Sequence, residues 1–183
     1  MKKINYILIL ITIFCGVLVS LTALNQGIVV FLKNISIILT VCIPLIYQKL
    51  FKTKLPEYII TIWIIFIIMA HFLGVIMYGY EYYPGYDKIV HTFSGILTAA
   101  VAIMILEKVK IKRLAFAFIF IIALSSMGAF LWETFEFVCN ILVGGDAQKV
   151  AETGVNDTML DMIVAFIGSL ITATIYTIKK YIH

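Results

Sequence analysis

The predicted fold class is an all-α polytopic membrane protein with six transmembrane helices, and three observations lead to it. The 183 residues are 63% hydrophobic and only 13% charged, with mean hydropathy +1.09, whereas soluble domains carry about 25% charged residues. The apolar residues gather into six runs, each long enough to cross about 30 Å of hydrocarbon. The basic residues lie between the runs and alternate in density. Lys2, Lys3, Lys49, Lys52, Lys54, Lys108, Lys110, Lys112, Arg113, Lys179 and Lys180 fall on one side, and Lys33, Lys88 and Lys149 on the other. The positive-inside rule then predicts an even number of spans with both termini cytoplasmic.

In chain order the expected spans are about 5–24, 27–48, 58–78, 87–107, 113–142 and 158–179, forming a single transmembrane helical bundle over 1–183. Met1-Lys2-Lys3 and the apolar run behind it have the polarity of a signal peptide, but the run is long for one, and an uncleaved first span is expected. Lys33-Asn34 interrupts the second span. The fifth is longer than a crossing needs, so it should tilt, kink or protrude.

This distribution excludes several classes. There is no room for a soluble domain beside the bundle. The formal charge of +4 is spread through loops and forms no basic face, which argues against nucleic acid as a partner and for membrane lipid. Cys15, Cys42 and Cys139 are odd in number, lie in apolar runs, lack metal-site spacing and read as packing residues.

Buried charge is where function should be sought. Trp132-Glu133-Thr134-Phe135-Glu136 places two carboxylates three residues apart, on one helix face, near the end of the fifth run. Each costs roughly 2.5–3.5 kcal/mol near the hydrocarbon centre, so something must meet them. Extending that face gives Ser126, Ala129 and Asn140, with Phe120, Leu124, Leu131 and Phe135 opposite.

Counting about 1.5 Å per residue from the cytoplasmic ends puts His71 about 21 Å up, His91 about 24 Å, Asp161 about 27 Å, Asp87 and Glu133 about 30 Å, and Asp157 and Glu136 slightly higher. Seven ionisable groups on spans three to six thus share one band, and their polar faces should meet in a pocket open to the extracytoplasmic side. Ser94, Gly95 and Thr98 below His91, and Ala165, Gly168 and Thr172 below Asp161, are small or hydroxylic and suit close helix approach.

Five carboxylates cannot all stay charged and unpaired in low dielectric. A cation, shared protons, Lys33, Lys88 or water must balance them. His91, Asp87, Glu133, Glu136, Asp161, Asp157 and His71 are candidate ligands for a divalent metal, zinc, manganese or magnesium. Plainer roles compete. Asp87 and Asp157 suit helix N-caps, His71 suits a hydrogen-bonded core histidine, and Lys33 suits an outward snorkel. Trp132, Tyr78, Tyr80, Tyr82, Tyr83 and Tyr86 suit an interfacial belt.

Asp87-Lys88-Ile89-Val90-His91, the Trp132–Glu136 pair, and Asp157-Thr158 through Asp161 to Gly168 resemble the YjdF-type family of small bacterial inner-membrane proteins, and more distantly the VanZ-like proteins linked to glycopeptide resistance. The resemblance covers the third to sixth spans and implies a multi-pass protein of the bacterial cytoplasmic (inner) membrane. The family pattern often carries Asn four residues after the second Asp. Here that residue is Ala165, so no Asn role carries over.

Three functions are open from the residues. One is a metal-dependent hydrolase or transferase acting on a lipid or lipid-linked phosphate at the outer leaflet, with Glu133 or Glu136 as catalytic base and His91 or Asp161 as ligand. Another is an ion- or proton-coupled transporter, for which Ser94, Thr98, Ser125, Ser126 and Thr172 form the only inward route. The last is a non-catalytic accessory protein whose polar cluster sets helix packing.

Overall fold

A computed structural model describes the chain apart from Met1, Gly145, Ala147, Lys149 and His183, and apart from the side chains of Val29 and Val143. Lys149, counted above on the less basic side, therefore lies outside the described residues. All regular structure among the described residues is helical, and six helices are long and apolar enough to cross a membrane: Lys3–Thr22, Val30–Leu50, Glu57–Ile76, Tyr86–Val109, Leu114–Leu142 and Asn156–Ile182. These follow the predicted spans to within a few residues. The chain forms two compact units, Met1–Tyr86 and Asp87–His183.

The first unit holds α1 (Lys3–Thr22), a short 3-10 turn at Leu24–Gln26, α2 (Ile28–Ile35), α3 (Ile37–Leu50), α4 (Glu57–Ile67) and the small α5 (Gly79–Tyr82). The second span is broken at Ser36, just past the Lys33-Asn34 interruption, so α2 and α3 are separate helices. Pro56 precedes α4 and its carbonyl accepts the Ile59 and Ile60 amides, which suits a residue that lacks its own N–H. After Ile67 the third span continues as nine residues of π-helix, Ile68–Ile76. Ile9, Ile37, Val41, Ile60, Ile64, Ile67 and Ile76 make its buried apolar core. One polar knot sits among them: the Asn5 amide donates to Glu57 Oε2 at 2.9 Å and its Oδ1 accepts from Thr61 Oγ1 at 3.0 Å. Asn5 is fully buried, and the two bonds satisfy it.

The second unit holds α6 (Tyr86–Val109), α7 (Leu114–Val143), the short α8 (Val150–Thr153) and α9 (Asn156–Ile182). Ala99, Ala102, Leu106, Ala117, Ile121 and Ala173 form its core. Small residues predominate because these helices approach closely. A Cβ on Gly95 of α6 would run into the Ala165 carbonyl of α9, and one on Gly168 would run into the Thr92 carbonyl. This is how small faces bring helices together without a hydrophobic driving force.

The inward stripe of α7 differs from the sequence expectation. Ala117, Ile121, Ser125, Ala129 and Glu133 are buried, at four-residue spacing, and Ser126 is only half-buried. Phe120 and Leu124, expected on the far side, pack against the core. Steps of four advance about 40° per turn around a helix, so the stripe expected from Glu136 back to Ser126 shares Ala129 and Glu133 with the inward one and diverges from it at Ser125 and below. Ile119, Phe130, Phe135 and Ile141 are more than half exposed, as a lipid-solvated surface requires.

Candidate metal centre

The N-terminal turns of α6 and α9 lie beside the C-terminal half of α7, and the unit's ionisable side chains collect there. The two aspartates read as candidate caps also meet charged partners. Helix α6 begins at Tyr86 and α9 at Asn156, so Asp87 and Asp157 sit inside the first turn, where Asp87 meets Lys88 and His91 of its own helix and Asp157 meets Lys88 of α6. The capping carboxylate is Asp146, whose two oxygens accept the Val150 and Ala151 amides at the start of α8.

Lys88 is the organising cation. Its Nζ lies 2.6 Å from Asp157 Oδ1 and 2.7 Å from Asp161 Oδ1, and 3.5 Å from Asp87 Oδ2. The i, i+4 spacing of Asp157 and Asp161 lets one ammonium meet both. His91 occupies the other side: Nε2 is 3.5 Å from Asp87 Oδ1 and 3.8 Å from Asp161 Oδ1, and Nδ1 is 4.0 Å from Glu133 Oε1. Asp87, His91 and Asp161 each offer a ligand atom, all within 4.8 Å of one another, a spacing from which one ion can be held.

Glu133 is 5% exposed. Gln148, from the stretch between α7 and α8, donates its Nε2 to the Glu133 backbone carbonyl at 3.1 Å and to Oε2 at 3.3 Å. The other oxygen, Oε1, is buried without a hydrogen-bond partner among the described residues. A carboxylate oxygen left so is costly in protein, more so in a membrane.

Glu136, one turn on, is half-buried, accepts the Trp132 indole N–H at 2.8 Å and lies within electrostatic range of Glu133, Asp87 and Asp161. Trp132, expected in the interfacial belt, is half exposed yet ties its polar edge to this carboxylate. Tyr78, Tyr82 and Tyr83 are exposed, whereas Tyr80 covers Gly74 and Tyr86 donates its hydroxyl to the Met69 carbonyl at 2.8 Å.

The second unit thus brings together Asp87, His91, Glu133, Asp157 and Asp161, with Glu136 alongside. The described contacts of His71 lie in the first unit. Its Nε2 meets the Lys33 carbonyl at 3.0 Å and Ser36 Oγ at 3.4 Å, and Nδ1 meets Thr40 Oγ1 at 3.3 Å. Its ring ties the π-helix to the break in the second span.

Two participants escaped sequence reasoning. Lys88 counted only as one of several counter-charges, since its bonds to Asp157 and Asp161 span about seventy residues. Gln148 carried no signal, being one polar residue in a polar loop.

Residues 5–180 match the family DUF2238, described as a predicted membrane protein. The chain belongs to that family. DUF2238 is the YjdF-like family, which agrees with the resemblance carried by the Asp87–His91, Trp132–Glu136 and Asp157–Gly168 segments and extends it into the first two spans. No curated protein and no solved structure matches the chain.

Proposed function

We propose that this DUF2238 protein binds a divalent metal through Asp87, His91 and Asp161 and uses it on the phosphate of a lipid or lipid-linked substrate at the outer face of the bacterial cytoplasmic membrane. The observation that carries the reading is Glu133 Oε1, a buried carboxylate oxygen with no hydrogen-bond partner among the described residues, placed beside a three-residue ligand group. Charge points the same way. Asp87, Asp157 and Asp161 converge on Lys88 as their one lysine among the described residues, and Glu133 faces His91, an excess of carboxylates that a dication would offset.

Held by Asp87, His91 and Asp161, a divalent metal would supply Lewis-acid chemistry, polarisation of a phosphoryl oxygen and activation of water. The chain's own part is then clear. Glu133, held through Oε2 by Gln148, keeps Oε1 for accepting a proton from the attacking water, and Glu136 is the carboxylate nearest along the helix to relay it. The basic loop Lys108–Arg113 lies at the opposite end of α6 and α7 from the cluster, so the positive-inside rule puts the cluster at the outer leaflet, headgroup depth.

A second reading is favoured by Lys88 itself: an ammonium shared by three aspartates across two helices is sufficient to pin α6 to α9, with no ligand involved. Elemental analysis of detergent-purified protein by inductively coupled plasma mass spectrometry separates the two. Near-stoichiometric metal in the parent, lost in correctly folded Asp87→Asn and Asp161→Asn, supports the metal centre. Protein that stays metal-free after incubation with Zn²⁺ or Mn²⁺ leaves the packing role alone.

A further inference from the structure

We infer that Lys88 is the resident cation of this site and that a divalent metal enters by displacing the Lys88 ammonium from Asp161. The inference rests on the metal-binding reading above and concerns how that site is regulated.

The argument begins with one atom. Asp161 Oδ1 is the oxygen of Asp161 that faces His91 Nε2, at 3.8 Å, and it is also the oxygen that Lys88 Nζ holds at 2.7 Å. An ion ligated by His91 and by the Asp161 oxygen nearest it would use the atom the lysine already holds. Metal–carboxylate bonds are about 2.0–2.2 Å long, so an ion bound there sits within about 4–5 Å of an unmoved ammonium. Two like charges that close, three-quarters shielded from solvent, repel strongly.

Lys88 has somewhere to go. Its second strong partner, Asp157 Oδ1, lies one helical turn nearer the end of α9, and its side chain retains 25% exposure. A flexible four-carbon stem lets the ammonium keep Asp157 while it gives up Asp161. Asp161 is then free to turn its charge to the ion, and no new carboxylate is left unpaired.

Lys88 offsets part of the charge and holds Asp157 and Asp161 in register. It also weakens binding, because apparent affinity falls by the fraction of molecules in which the ligand oxygen is available. A site built this way loads and unloads with supply and does not trap its metal.

The test is Mn²⁺ titration of the full-length protein in detergent, reading free Mn²⁺ by its electron paramagnetic resonance signal. Lys88→Gln should tighten the apparent dissociation constant by about tenfold or more, and Lys88→Arg, which keeps the charge, should not tighten it. Removing Lys88 leaves two buried aspartates without their shared cation, so the paired change Lys88→Gln with Asp157→Asn, which removes one charge of each sign, serves where the single variant does not fold. Tighter binding in Lys88→Gln or the paired variant, without tightening in Lys88→Arg, supports the inference. Parent-like or weaker binding in folded Lys88→Gln or the paired variant overturns it and leaves the metal centre standing, as does equal tightening in Lys88→Arg. Absence of Mn²⁺ binding in every protein, parent included, overturns the metal reading and this inference with it.

Discussion

Gly95 of α6 faces the backbone carbonyl of Ala165 in α9 with no space for a side chain between them. That approach lies one helical turn below His91 and Asp161 on their respective helices, and it fixes their separation. The carboxylates and the imidazole can be reached by one ion because two backbones touch beneath them.

Substituting either contact glycine should therefore disturb both stability and site. Gly95→Ala and Gly168→Ala each push a methyl group against backbone, and overpacking of this kind costs about 1–3 kcal/mol. Thermal unfolding in detergent should show the loss, with metal affinity falling in parallel as Asp161 moves away from His91.

Lys88 and Asp161 should be energetically coupled. Asp161→Asn leaves Lys88 with Asp157, whereas Lys88→Gln removes the shared ammonium from both aspartates, so the two single changes are not equivalent. A double-mutant cycle on unfolding should give a coupling energy of about 1–3 kcal/mol. A value near zero removes the ion pair as a fastener between α6 and α9.

Gln148→Ala should weaken metal binding and also lower stability by about 1–3 kcal/mol, because it leaves the buried Glu133 Oε2 without this donor. The amide holds the Glu133 backbone carbonyl and Oε2, and Glu133 in turn faces the ligand His91, so the loss of affinity should fall at or below the low end of the roughly 10–100-fold typical for a ligand's own outer-shell partner. Mn²⁺ titration of the folded variant measures it.

His71→Phe should separate the two units' roles. The His71 ring bonds the Lys33 carbonyl, Ser36 and Thr40, so its loss should destabilise the protein by about 1–2 kcal/mol. On the proposed metal centre, metal stoichiometry should not change, because the candidate ligands Asp87, His91 and Asp161 are grouped without His71. Loss of metal in folded His71→Phe restores His71 to the ligand set.

Lys110→Gly should stabilise. Lys110 follows α6 with φ of 61°, the left-handed geometry in which a side chain is disfavoured, and the Ile111 amide closes the turn onto the Leu106 carbonyl. Relief of that conformation offsets the added chain entropy of glycine, and a rise of about 0.5–1 kcal/mol in unfolding free energy is expected.

Much of this protein is written in one dimension. Hydropathy placed the six long helices within a few residues because lipid imposes its thickness and apolarity on each span independently, with no reference to its neighbours. The same locality explains the site residues that were legible. A carboxylate or imidazole inside an apolar run is conspicuous whatever surrounds it, and the i, i+4 pairs Asp87/His91 and Asp157/Asp161 share a face by helix geometry alone.

What the sequence left open depended on other helices. Whether Asp157 capped α9 or met a cation turned on Lys88, about seventy residues away. Whether α7 turned Ser125 or Ser126 inward depended on the angle at which it meets its neighbours, which no single helix encodes. Glu133 became the distinctive residue only when Gln148 took one of its oxygens and left the other bare. Length and apolarity are local properties, so sequence alone determined the spans and the charged positions. Pairing, orphaned atoms and helix approach are relations between distant segments, and only the tertiary structure decided them.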